Sequence, residues 1–188
     1  GYVEQDYVFL IDYGRLLALG AAKAPDLPTM RRFADLTQAI LVTEMDLHRS
    51  FAAEWGIGEQ ALEATEPTPA TAAYVDFLLR TAALGDFAEL VAVLLPCMWS
   101  YAEIGERLAA AAAAGQADPG PYADWVATYA SAEFAELADW CRALTAQLAA
   151  DADGPTRERM TRAFLGASRH ELAFWESCWV GDSTPPAA

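Results

Sequence analysis

The chain has 188 residues, 54% of them hydrophobic, and a formal net charge of −15. That length and apolar content fit one folded domain with a sizeable core and exclude a disordered chain. The negative field repels phosphate backbones and so argues against nucleic acid as a partner.

Three cysteines, Cys97, Cys141 and Cys178, are odd in number and far apart. They point away from a disulfide framework and toward a reducing cytoplasm. No CxxC pair or His/Cys cluster suggests zinc. No charge-free apolar run has the length of a bilayer span. No basic stretch followed by a short apolar run opens the chain as in a signal peptide. The expectation is a cytoplasmic protein without membrane contact.

Residues 2–23 repeat apolar positions at three and four, so a helix is predicted there. Asp6, Phe9, Leu10 and Tyr13 share one side, and Asp12 falls on another. An acid on an apolar face needs a hydrogen-bonding partner or a shifted pKa; at a helix start it also gains from the dipole. The two prolines in 23–30 break the helix, and Thr29 is the expected cap of the next, running to about Trp55. There Glu44 and His48 lie four apart on one face. That spacing suits a metal site in a helical bundle, but a salt bridge or surface hydrogen bond is the commoner use.

Residues 56–69 read as loop with a short helical turn. Thr68 or Thr71 starts a helix through Gly85, with Tyr74, Phe77, Leu78 and Leu84 turned inward. Asp86 caps a long helix over 87–114. Within it, LLPCMWSYAEIGERL at 94–108 places Cys97 directly after Pro96 and one turn before Tyr101. An interior proline costs roughly 3 kcal/mol, and a thiol beside a phenol at such a point is a candidate reactive centre. Read alone, Cys97 is equally a small buried apolar residue.

The stretch 115–121 is a breaker. Pro121 suits the first position of a following helix, in which Tyr122, Trp125 and Tyr129 form an aromatic stripe. Residues 131–150 are amphipathic helix, with Cys141 structural. The turn at 151–156 leads into a last helix over 157–180, where Glu171, Phe174, Trp175 and Cys178 share an apolar side and Glu176 faces solvent. Residues 182–188 read as a flexible tail, leaving 1–181 as the domain. No strand periodicity occurs, so the fold class is all-α, a single-domain bundle of seven to eight helices.

QDYVFLIDYGRLLALGAAKA, EMDLHRSFA, LLPCMWSYAEIGERL, PYADWVATYAS and ELAFWESCW, in this order and at these separations, resemble the TenA family. That family is also called thiaminase II or aminopyrimidine aminohydrolase. The resemblance covers nearly the whole chain. It implies a heme-oxygenase-like helical fold without heme, a further helix ahead of the QDY stretch, and a homotetramer or homodimer. It implies a hydrolase of thiamin salvage that releases hydroxymethylpyrimidine from aminomethylpyrimidine or thiamin, with no cofactor or metal.

Carried over by position, the resemblance makes Cys97 the nucleophile and Glu171 the catalytic acid/base. It makes Asp6 the carboxylate that holds the pyrimidine amino group and ring nitrogen, and Tyr74, Tyr101 and Tyr129 the pocket phenols. Phe9 falls where an aromatic packs on the ring; tyrosine in some members would add a hydroxyl absent here. The residue types suit the chemistry, because protonating an electron-poor aminopyrimidine makes it open to a thiolate. Two other readings stand beside this one. A metal-dependent oxidase would draw ligands from Glu44, His48, His170 and Glu171. A non-catalytic pyrimidine-binding regulator would use the same pocket without turnover.

Overall fold

In the computed structural model, residues 1–180 are described, and every regular element among them is helical. The predicted tail at 182–188 lies outside the described residues. The helices are α1 (Tyr2–Lys23), α2 (Leu27–Gln38), α3 (Met45–Glu54), α4 (Glu59–Glu63), α5 (Pro69–Leu84), α6 (Phe87–Ala113), α7 (Ala123–Tyr129), α8 (Ala132–Asp151) and α9 (Gly154–Val180). α4 is a single turn, so eight longer helices build the bundle. A π-helical segment, Ala39–Glu44, joins α2 to α3, and a 3₁₀ turn, Gly120–Tyr122, precedes α7.

The helix starts follow from local chemistry. Asp26, rather than Thr29, caps α2, accepting from the Thr29 N–H at 2.8 Å; Thr29 lies three positions past the cap, inside the first turn. The Thr68 hydroxyl caps α5, and Asp86 and Glu89 form a reciprocal capping box on α6. Asp153 accepts from the Thr156 N–H at 2.8 Å, which starts α9 three residues before the predicted point. Pro121 sits in the 3₁₀ turn, and Tyr122 is exposed instead of joining the aromatic stripe. Leu84, expected inward, is exposed because α5 ends there and the chain turns away at Gly85.

α1, α5, α6 and α9 form the central bundle. α2 and α3 pack on α1, and α7 and α8 pack on α6. α6 is long and apolar enough to cross a membrane, but more than half of its apolar stretch is buried inside the bundle. Leu90, Val91, Val93 and Leu94 are fully buried, so α6 is the core helix around which the others close. Arg159 of α9 ties the start of α6 by bonding Asp86 at 2.8 Å and Glu89 at 3.2 Å. Buried Gln5 anchors the 64–68 loop to α1, donating to the Glu66 carbonyl and accepting from the Thr68 N–H and the Thr71 hydroxyl.

One glycine brings α6 against α7. A Cβ on Gly105 would stand 2.5 Å from the Tyr129 carbonyl carbon and 2.8 Å from the Ala130 nitrogen. Because backbone cannot swing aside as a side chain can, Gly105→Ala is expected to cost about 1–3 kcal/mol and to push Tyr129 off its position. Thermal unfolding and tyrosine–tryptophan fluorescence check this.

Candidate active site

α1, α6, α7 and the π-helical segment enclose a small cavity lined by Asp6, Phe9, Leu10, Tyr13, Ile40, Glu44, Cys97, Met98, Tyr101, Tyr129 and Phe134. It is nearly shut, with about 10 Å³ open to the centre of a water-sized sphere, room for about one water. Five of the side chains singled out by sequence, Asp6 and Phe9 from α1, Cys97 and Tyr101 from α6 and Tyr129 from α7, therefore meet here. Tyr74 and Glu171 lie beside this cavity rather than on its wall. The Phe9 ring links Tyr74 to it, packing 4.9 Å from the Tyr74 ring, and the Tyr74 hydroxyl in turn bonds Glu171.

Asp6 and His48 form the buried ion pair at the cavity's base. His48 is fully buried, with Nε2 2.6 Å from Asp6 Oδ2 and Nδ1 2.9 Å from the Glu44 carbonyl oxygen. Both partners are acceptors, so both ring nitrogens carry protons and the ring is an imidazolium. Burial works against that charge, but Asp6 outweighs it and lifts His48 to about 9. The surface hydrogen bond expected of His48 is thus a buried pair across two helices. The π segment turns the α3 face inward, so the helix bearing His48 packs on α1 instead of facing solvent.

Asp6 Oδ2 also accepts from the Tyr2 hydroxyl at 2.9 Å, and that hydroxyl accepts from the Trp125 indole N–H at 3.1 Å. Tyr2 stacks on Trp175 at 5.1 Å between centroids, and Tyr101 packs against Trp125, Tyr129 and Trp175. The Tyr13 hydroxyl, fully buried, donates to the Leu94 carbonyl at 3.1 Å, one turn before Cys97 along α6. Sequence reasoning passed over Tyr2, Tyr13 and Trp125 as site residues and weighed His48 only as a metal ligand. Their signal was present only as aromatic or titratable residues on apolar faces, and the bonds Tyr13–Leu94, His48–Asp6 and Trp125–Tyr2 span 42 or more positions.

Three carboxyls act on Cys97 through their charge. Burial raises its thiol well above the ordinary value, and Glu171, Glu44 and Asp6 push it further the same way. The resting group is a thiol, not the thiolate that the chemistry of attack uses. Glu171 accepts the Tyr74 hydroxyl at 2.6 Å, and burial raises it to about 7 against the pull of that bond. Glu44 accepts the Tyr129 hydroxyl, and burial likewise raises it to about 7. The buried Trp175 indole N–H is turned to Glu171 and favours its ionised form. Cys97 and Cys141 are free thiols; Cys141 is fully buried and pushed up to about 12 by burial, as a structural thiol should be.

The oxidase ligand set does not assemble. Glu44 and His48 touch only through the Glu44 backbone carbonyl. His170 stacks on Tyr74 and packs against Phe77, away from His48. Among the described residues no three metal-ligating side chains converge.

The sequence profile of the TENA/THI-4/PQQC family matches residues 1–180. The aminopyrimidine aminohydrolase of Halalkalibacterium halodurans is 42% identical over 178 residues, covering 95% of this chain and 79% of that protein. The aminopyrimidine aminohydrolase of Bacillus subtilis is 35% identical over 176 residues, covering 93% of this chain and 72% of that protein. Among solved structures, a TenA homologue from P. horikoshii OT3 superposes with a TM-score of 0.83 at 32% identity, over 96% of this chain and 81% of its own. The fold, the order of the helices and the match along the described residues all agree, and the chain belongs to the TENA/THI-4/PQQC family.

Proposed function

We propose that this protein is an aminopyrimidine aminohydrolase of thiamin salvage. It hydrolyses the bond between the pyrimidine methylene and nitrogen in aminomethylpyrimidine or thiamin. The observation that carries the reading is the placement of the Cys97 thiol and the Asp6 carboxylate on one enclosed aromatic cavity, with Glu171 close enough to dominate the charges acting on that thiol. Relatives named for this activity, 32–42% identical over most of the chain, support it.

Asp6, held by His48 and Tyr2, receives the amidine edge of the substrate, its amino group and adjoining ring nitrogen. Phe9 and Tyr101 pack on the ring faces. The Cys97 sulfur adds to the ring carbon beside the aminomethyl arm while the ring nitrogen takes a proton. Glu171, near 7, both gives and takes protons at neutral pH. It takes the proton that the crowded thiol gives up and passes it to the ring, so net charge in the cavity is unchanged. Electrons returning through the ring break the methylene–nitrogen bond, and the pair leaves on the thiazole or amine. Water then adds to the exocyclic methylene, the sulfur–carbon bond breaks, and the thiol re-forms as hydroxymethylpyrimidine departs.

The net charge of −15 favours such substrates, which are cationic. The protein works in the cytoplasm as a homotetramer or homodimer, without cofactor. Light scattering giving the mass of a single chain would contradict that assembly. Incubating the protein with thiamin or aminomethylpyrimidine should release hydroxymethylpyrimidine, read by chromatography. Binding of either compound without release of product overturns the enzymatic reading in favour of a binder.

A further inference from the structure

Next to the closed cavity lies a second, open hollow of about 440 Å³. The two share Ile40, Glu44, Met98, Tyr129 and Phe134 as a common wall. Glu44 is the carboxylate on that wall; the rest is apolar apart from the Tyr129 phenol. Its place there is built. It closes the π-helical segment, its backbone carbonyl receives His48, and one carboxyl oxygen receives the Tyr129 hydroxyl. A π segment widens the turn and re-aims side chains where it occurs. Here it lays Glu44 on the wall of the cavity that Cys97 also lines.

The proposed reaction has two halves, and the second needs a base. After the leaving group has gone, water attacks the methylene of the ring held on Cys97. Neutral water is a poor nucleophile. Glu171 is engaged at the ring nitrogen, and Asp6 is paired with His48. We propose that Glu44 is the general base that activates the hydrolytic water, taken from the adjoining open hollow. This rests on the covalent reading above. One O–H bond breaks, its proton goes to the Glu44 carboxylate, and the oxygen bonds to the methylene carbon. The electron pair displaced from the methylene–ring double bond returns to the ring and expels the Cys97 sulfur, which recovers its proton from the ring nitrogen by way of Glu171. Glu44 then releases its proton through the open hollow. Burial opposed by the Tyr129 hydrogen bond holds Glu44 at about 7, so the ionised form is available at neutral pH.

The test is Glu44→Gln with thiamin, followed through a single turnover. The amide oxygen keeps the Tyr129 hydrogen bond, and Glu44→Asp serves as the second variant should Glu44→Gln fail to fold. Thiazole release is expected as a burst of about one equivalent, with a pyrimidine adduct on Cys97 visible by mass spectrometry. Steady-state release of hydroxymethylpyrimidine should fall roughly 10²–10⁴-fold. Azide, which has no proton to lose, should restore turnover and yield azidomethylpyrimidine. Glu44→Asp should recover part of the hydrolysis. The proposal is overturned if Glu44→Gln releases hydroxymethylpyrimidine within a few-fold of the parent. It is equally overturned if thiazole release fails with it, with no adduct and no azide product. Full hydrolysis by Cys97→Ser would instead defeat the covalent reading itself.

Discussion

Replacing Cys97 by serine is expected to lower turnover by roughly 10⁴-fold or more, the scale seen when the nucleophile of a concerted catalytic unit is removed. Melting temperature should hardly change. Serine is close in size, and Cys97 is half-buried against a cavity rather than locked in the packed centre of α6. The physical case lies in the surroundings of the sulfur. Three carboxyl groups and burial all disfavour the thiolate, so the sulfur can attack only while a neighbouring carboxylate takes its proton, and Glu171 heads the charges acting on it. Cys141 shows the contrast: it is fully buried beside no carboxylate that raises it, and its only charged influence is Arg32. A serine hydroxyl in place of Cys97 is harder still to ionise, so the attack step fails while the fold stands. Steady-state release of hydroxymethylpyrimidine, alongside thermal unfolding, separates these effects. Retention of the parent rate by Cys97→Ser would remove the sulfur from the mechanism.

Breaking the Asp6–His48 pair should damage both stability and binding. Asp6→Asn leaves an imidazolium with no counter-charge in a site shut from water, and losing one partner of a buried pair costs about 3–5 kcal/mol. The pH dependence identifies the pair. His48 has a folded value of about 9, above its ordinary 6.5. Its contribution is therefore complete below pH 6.5 and is lost as pH rises through 9, a span equivalent to about 3 kcal/mol. Glu44 and Glu171, raised from 4.5 to about 7, act in the same direction at lower pH: folding is favoured while they stay protonated and weakens as pH rises through 7. The melting temperature of the parent should thus fall steadily from about pH 5 to pH 9, opposite to the usual acid lability of carboxylate-rich proteins. In Asp6→Asn the fall above pH 6.5 should flatten, since the neutral amide no longer holds the proton on His48. An equal fall in both proteins would show that His48 is not charged through Asp6. The affinity for aminopyrimidine should drop with the same substitution, because the group that receives its amino edge has lost its charge.

Much of the helical architecture was legible because a helix is a local object. Its hydrogen bonds reach four residues, its apolar stripe repeats every three or four, and its ends are marked by residues such as Thr68 and Asp86 within the same turn. The same locality placed Asp6 and Glu171 on apolar faces, where both are buried. The misplacements were also local in origin. At the α2 start, Asp26 and Thr29 competed as caps, and the nearer carboxylate prevailed. At α7, Pro121 suits a 3₁₀ turn as readily as a first α-helical turn.

What the sequence determined by itself is the set of helices and the chemistry carried on each inward face, including the thiol of α6 and the acids of α1 and α9. Which groups meet was decided only by the tertiary structure. His48 lies 42 positions from Asp6, Tyr129 lies 85 from Glu44, and Tyr74 lies 97 from Glu171. Those pairings depend on the angle at which helices cross and on the register shift made by the π segment at 39–44. Helix packing chooses among several crossing angles of similar energy, and one side chain can satisfy its hydrogen bond in many places along a helix. No periodicity within a segment carries that choice, so the partners of a buried acid are known only when the helices are seen together.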